Sequence, residues 1–178
     1  MKVIAYAVRA DEMKAFRQFS EELNIQVTYI EQRLTKDNVH LAHGHDGVSI
    51  IGHCDGSESI LVKLKEMGIH YLASRSAGYD NIDILSAKKL GIQVTNARYS
   101  PNSVAEFALM LILMVNRRVG ESFKSSSIND FSLRNLRGFE LRNQTVGIIG
   151  TGRIGATLAQ ALTGFGCKIL AYDEYVND

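Results

Sequence analysis

Cysteine is scarce in this chain. Cys54 and Cys167 stand alone and far apart, which excludes a disulfide framework and any thiolate metal site of recognisable spacing. They read as reduced thiols of a cytoplasmic protein. Excess charge is absent too. Twenty basic and 19 acidic side chains leave a net charge of +1 with no basic block, so nucleic acid and anionic membrane surfaces are not expected partners. The longest apolar run, Val104 to Val115, is interrupted by Glu106 and falls short of the roughly 20 residues that cross a bilayer. The opening MKVIAYAVRADE has a short apolar stretch with no small-residue cleavage site after it, unlike a signal peptide. There is no internal repeat. His43 and His45 could share a metal, but no third ligand accompanies them, so they read as a solvated loop and no metal is expected.

What the chain does have is an apolar fraction of 46%, enough to bury a core. Its first hundred residues alternate strand and helix patterns. Lys2–Val8, Ile25–Ile30, Gly47–Ile51, His70–Ser74 and Ile92–Asn96 read as strands. Glu12–Leu23 carries Met13, Phe16, Phe19 and Leu23 on one helical face. Ser59–Met67 and Ile82–Leu90 read as helices closed by Gly68 and Gly91. This rhythm predicts an α/β fold, with a parallel, doubly wound sheet of flavodoxin-like type over residues 1–100.

A break follows. Ser103-Val-Ala-Glu106 has the form of a capping box, with Pro101 upstream. The helix it opens ends near Arg117 and Arg118 and is apolar on almost all sides, which predicts burial between two bodies. Residues 120–143 are polar and read as part helix, part loop. A new β-α-β unit starts at Thr145, so residues 101–178 read as a connecting helix and the first part of a second, nucleotide-binding domain.

That unit carries the strongest local signal, Gly150-Thr-Gly152-Arg153-Ile154-Gly155. A lone G-x-G-x-x-G is weak. Here a strand pattern leads into it, a helix pattern over Ile154–Phe165 leads out, and a second strand, Cys167–Tyr172, ends in Asp173, 18 residues after Gly155. Gly150 permits the tight turn, Gly152 admits a pyrophosphate against the backbone, and Gly155 lets helix and strand approach. The amides of Arg153 and Ile154 then face an anion at a helix N-terminus. Asp173 can accept hydrogen bonds from both adenosine ribose hydroxyls. The alternatives are a ligand-free β-α turn and an FAD-type fingerprint. The agreement of strand, turn, helix and acid opposes the first, and the whole domain preceding the motif opposes the second. Asp173 would repel the 2′-phosphate of NADP, and neither Glu174 nor Tyr175 is an arginine, so NAD is favoured.

TVGIIGTGRIG followed by GFGCKILAYD resembles the cofactor motif of the D-isomer-specific 2-hydroxy-acid dehydrogenases. Upstream, ASRSAGYDNID (residues 73–83) resembles that family's substrate loop, and NARYSPNSVAEFAL (residues 96–109) its interdomain-helix entry, in the same order. The opening MKVIAYAVRADE and the segment Tyr99-Ser-Pro-Asn point to the D-lactate dehydrogenase group. The resemblance covers nearly the whole chain. It implies a two-domain enzyme that transfers hydride between NAD and a 2-keto or D-2-hydroxy acid, with pyruvate and D-lactate as the expected pair. It implies that the backbone amides of Ala77 and Gly78 hold the substrate carboxylate, that Tyr99 is an active-site tyrosine, and that Val104 packs near the nicotinamide.

The family's catalytic Arg, Glu and His follow the fingerprint by many residues. None of them is expected within these 178 residues, and none of the five histidines matches the acid/base position. Arg75, inside the substrate-loop motif, is not at the position of the catalytic Arg and is expected to support the loop. The chain therefore reads as the N-terminal part of such an enzyme, inactive alone, whose complete form is expected to be a homodimer. Two other readings remain at this point. One is a dehydrogenase for another D-2-hydroxy acid, the vancomycin-resistance type included. The other is a non-enzymatic NAD-responsive corepressor, against which the Tyr99-Ser-Pro-Asn segment argues.

Overall fold

The computed structural model describes residues 1–175, in two compact units, the first spanning Met1–Tyr99 and the second beginning at Ser100. In the first unit β1 (Lys2–Ala5), β2 (Gln26–Tyr29), β3 (Gly47–Ile50), β4 (Tyr71–Ser74) and β5 (Gln93–Asn96) form one sheet in the order β2-β1-β3-β4-β5. Every pairing is parallel, with Val3 opposite Gly47, Val48 opposite Leu72 and Leu72 opposite Val94. This is the doubly wound flavodoxin-like order.

Helices α1 (Met13–Glu22), α2 (Glu58–Glu66) and α3 (Ile84–Leu90) make the crossovers, together with short 3-10 turns at Ala10–Glu12 and Val39–Ala42. All of β3 is buried, as expected for a strand covered on both faces. The core joins Ile4, Val48, Ile50 and Leu72 of the strands to Ile60, Leu61 and Leu64 of α2. Gly68 and Gly91 follow α2 and α3 in the left-handed conformation, at φ 82° and 67°. The face expected on α1 is less buried than its pattern implies. Phe16 packs edge-on against Tyr29, with ring centroids 5.5 Å apart, while Phe19 and Leu23 are exposed.

The second unit contains α4 (Asn102–Asn116), α5 (Val119–Ser127), β6 (Thr145–Ile149), α6 (Arg153–Thr163) and β7 (Lys168–Tyr172). β6 and β7 pair in parallel, Thr145 opposite Lys168 through Ile149 opposite Tyr172. Leu141, Ile148 and Leu162 form a small core with Leu109, Ile112 and Leu113 of α4 and Leu158 of α6.

Two expectations about α4 are corrected. The capping box does not form. The helix begins at Asn102, so Ser103 lies inside its first turn, and the N-cap residue, Pro101, makes no side-chain capping bond. The Ser100 hydroxyl instead accepts the Asn102 amide at 3.3 Å. Nor is α4 enclosed. Only Ala105 is buried along its length, and Phe107 and Val115 are 58% and 79% exposed. The layer formed by α6 covers one stripe, and a helix apolar all round has more surface than one layer can bury.

The two units also differ in how their strands are partnered. β1, β3 and β4 each have two neighbours, whereas β6 and β7 have only each other among the described residues. Two-stranded sheets are marginal in water. In the polypeptide of residues 1–178, amides of β1, β3 and β4 should therefore exchange with solvent more slowly than those of β6 and β7. Hydrogen exchange read by mass spectrometry measures this, and equal or greater protection of Val146–Tyr172 would contradict it.

Candidate functional site

Residues 150–155 join β6 to α6. Gly150 stands at φ 94°, in the left-handed region, and its amide still donates to the Tyr172 carbonyl at 2.8 Å. Gly152 caps the helix with extended backbone, and a Cβ there would meet nothing within 4 Å. A Cβ at Gly155 would overlap the carbonyl oxygen of Gly150, so the helix can lie this close to the turn only if residue 155 has no side chain. α6 starts at Arg153, and the amides of a helix's first turn have no acceptor within the helix. Open space before such amides suits a phosphate group. The residues present thus fit a dinucleotide pyrophosphate.

Asp173 follows β7 directly, level with the turn because Ile149 pairs with Tyr172. Its Oδ2 accepts the Thr151 amide at 2.5 Å and the Thr151 hydroxyl at 3.0 Å, and its Oδ1 accepts the Tyr175 amide at 3.0 Å. The Thr151 amide, with those of Tyr175 and Glu174 and the Thr151 hydroxyl, holds this carboxyl below its ordinary range, so it is ionised at neutral pH. Three hydrogen bonds reach the carboxylate, from the Thr151 amide and hydroxyl and the Tyr175 amide, and of its roughly four acceptor positions about one is left for a ribose hydroxyl. The bond to Thr151 was not expected. The fingerprint leaves its second position open, and only the strand register brings the two residues together.

In the first unit, residues 75–81 leave the C-terminal end of β4. Ser74 and Ser76 share a hydrogen bond of 2.9 Å between hydroxyls, and the Ser76 hydroxyl donates to the Gly78 carbonyl at 3.0 Å. Asn96, at the end of β5, donates from Nδ2 to the Ala77 carbonyl at 2.7 Å. The loop's carbonyls are thus tied down, while the amides of Ala77 and Gly78 have no protein acceptor among the described residues. Two adjacent donors of this kind, at the C-terminal edge of a parallel sheet, suit a carboxylate. Tyr99 is about half exposed, and Val104 lies exposed in the first turn of α4.

Arg75, at the start of this loop, has partners that the sequence does not advertise. Its guanidinium reaches Glu12, Ser49 and the carbonyls of Tyr6 and Ala7. Ala7 has φ 52°, a left-handed conformation that costs a residue with a Cβ about 1–3 kcal/mol. Of the histidines, His45 bonds to Thr28 at 2.9 Å from one ring nitrogen and lies 3.2 Å from the Ala42 carbonyl with the other, which ties it to the first unit's own backbone.

The chain is 44% identical to an aromatic 2-oxoacid reductase of Clostridium sporogenes over 180 residues, all of this chain and 54% of that protein. Its structure matches the apo-structure of D-lactate dehydrogenase from Escherichia coli with a TM-score of 0.85 at 35% identity, over 99% of this chain and 56% of that one. It also matches the NAD-complexed form of a D-isomer specific 2-hydroxyacid dehydrogenase from Lactobacillus delbrueckii ssp. bulgaricus, with a TM-score of 0.75 at 30% identity, over 99% and 54%. The chain spans about half the length of the curated relatives it matches. The family model for the D-isomer specific 2-hydroxyacid dehydrogenase catalytic domain matches residues 3–172, and on that match the chain belongs to the D-isomer specific 2-hydroxyacid dehydrogenases.

Proposed function

We propose that the complete protein is an NAD-dependent oxidoreductase that interconverts a 2-keto acid and a D-2-hydroxy acid, with pyruvate and D-lactate as its pair. The observation that carries this reading is the joint geometry of the glycine turn and Asp173 in a chain of this family. In this reading residues 1–100 are the substrate domain, and residues 101–178 are the connecting helix and the first part of the NAD-binding domain.

NAD supplies a hydride acceptor or donor when bound. The chain's own residues bind and orient. The amides of Arg153 and Ile154 receive the pyrophosphate, Gly150, Gly152 and Gly155 let it approach, and the Asp173 carboxylate receives ribose hydroxyls while opposing a 2′-phosphate. Val104, exposed in the first turn of α4, would lie beside a bound nicotinamide. The Ala77 and Gly78 amides hold the substrate carboxylate, and Tyr99 serves as an active-site tyrosine. The proton donor and carbonyl-polarising Arg are assigned, by family resemblance, to chain following the fingerprint. A homodimer accords with the apolar side chains exposed along α4 and α5, among them Phe107, Val115 and Phe123. Two free cysteines accord with a cytoplasmic location. No helix among the described residues is long and apolar enough to cross a membrane.

A second substrate reading has its own support. The 44% identical Clostridium relative is named for aromatic 2-oxoacids, so phenylpyruvate competes with pyruvate as the natural class. Comparing kcat/KM for the two with NADH decides between them. The first reading requires pyruvate to exceed phenylpyruvate by about tenfold or more, a discrimination within reach of apolar pocket contacts. The reverse ratio would assign the protein to aromatic substrates.

The cofactor assignment makes two further predictions. In the complete protein, Asp173→Ala should weaken NADH binding by about tenfold or more and narrow the preference over NADPH, because each charge-assisted hydrogen bond lost is worth about 1.5–3 kcal/mol. Fluorescence titration with both cofactors checks this, and unchanged affinity and selectivity would refute the role. Gly152→Val should abolish dinucleotide binding yet leave the fold intact, since a Cβ there would meet nothing within 4 Å. Undiminished NADH binding by a folded Gly152→Val protein would remove the main support for the reading.

A further inference from the structure

The side chain of Arg75 turns back from the exit of β4 across the C-terminal edge of the sheet. Its Nη1 donates to the Ser49 hydroxyl of β3 at 3.1 Å. Its Nη2 donates to the Tyr6 and Ala7 carbonyls, just past β1, at 2.9 and 3.0 Å. Its Nε donates to Glu12 Oε1 at 3.1 Å, and its planar head lies 5.3 Å from the centre of the Phe16 ring of α1. Both charged side chains are largely shielded, at 16% and 18% exposure. One residue thus joins β1, β3, β4 and the entry to α1, and a planar fork of five donors is what this takes. Lysine, with a single nitrogen, cannot reach all four acceptors.

What Arg75 restrains has a direction. On one side is Ala7, whose left-handed conformation is held by the hydrogen bond its carbonyl accepts. On the other, two and three residues along the chain, are the unpartnered amides of Ala77 and Gly78. Burial opposes the Glu12 charge, but hydrogen bonds from the Arg9 amide and the Arg75 guanidinium outweigh it and hold the carboxyl below its ordinary range. The anchor therefore stays ionised at neutral pH.

We propose that Arg75, anchored by Glu12, is a positioning residue for the substrate carboxylate: it fixes the exit of β4 against the strained end of β1 and so sets the spacing and aim of the Ala77 and Gly78 amides. This rests on the reading that those amides bind the carboxylate of a 2-oxo acid. Arg75 itself touches neither substrate nor cofactor.

The test uses the complete protein carrying Arg75→Met, Arg75→Lys or Glu12→Gln, with pyruvate and phenylpyruvate as substrates and NADH as cofactor. KM for the preferred 2-oxo acid should rise about tenfold or more in both Arg75 variants, since a small misplacement of binding groups costs that much, while kcat stays within about threefold. The affinity for NADH, titrated separately, should not change. Glu12→Gln leaves three of the four contacts in place and guards against a misfolded Arg75 variant. Its KM should rise about threefold in a protein with a near-normal melting temperature. Folded variants with unchanged KM would overturn the proposal, as would parallel losses of kcat, substrate affinity and NADH affinity, the pattern of general structural damage. A wild-type protein that reduces neither 2-oxo acid would overturn the parent reading and this one with it. An active wild type with unaltered Arg75 variants would overturn this one alone.

Discussion

Parallel strand pairing is the constraint from which the candidate sites follow. In a parallel sheet all C-terminal ends emerge on one edge, so residues distant in sequence are delivered to the same rim. Val3 pairs with Gly47, and Val48 with Leu72, which aligns the exits of β1, β3 and β4 and lets one arginine reach Ala7, Ser49 and Glu12. The same rule operates in the second unit. Ile149 opposite Tyr172 puts Gly150 level with Asp173, and the bond between Thr151 and Asp173 is a consequence of register rather than of chance proximity.

At both rims the proposed anion donors are backbone amides, held in place by side chains and by close packing. Two loop amides in one unit have no acceptor among the described residues, and the first-turn amides of α6 in the other have none within the helix. Such donors are effective because they are fixed before the ligand arrives. Asn96, Ser76 and Arg75 supply that fixation around residues 77–78, and the overlap that any side chain at Gly155 would create supplies it around residues 150–155. Small residues at these positions reflect how closely the chain must approach itself or a ligand.

The order of strands and helices was legible because a strand buried on both faces is an apolar run and its helices end in glycine. β3, Gly68 and Gly91 behave as their patterns imply. The fingerprint was legible for a similar reason, since glycine at 150 and 155 answers to local sterics. Other features depend on separations that no pattern encodes. Arg75 meets Glu12 across 63 residues, and Asn96 meets Ala77 across 19. Two readings of α4 failed on local grounds. Ser103 matches a capping box, but the helix starts two residues earlier than that box implies, and an apolar pattern reports which residues favour burial without stating how much neighbouring surface exists to bury them. The amphipathic face of α1 is the milder case, with Phe16 partnered and Phe19 left exposed.

The proposed activity of the complete protein is hydride transfer from NADH to one face of a 2-oxo acid. The most direct measurement is the configuration of the product made by the complete protein from NADH and a 2-oxo acid, resolved by chiral chromatography. The account predicts the D-2-hydroxy acid alone, formed in step with NADH oxidation. An L product, a racemic product or no product with either pyruvate or phenylpyruvate would contradict it.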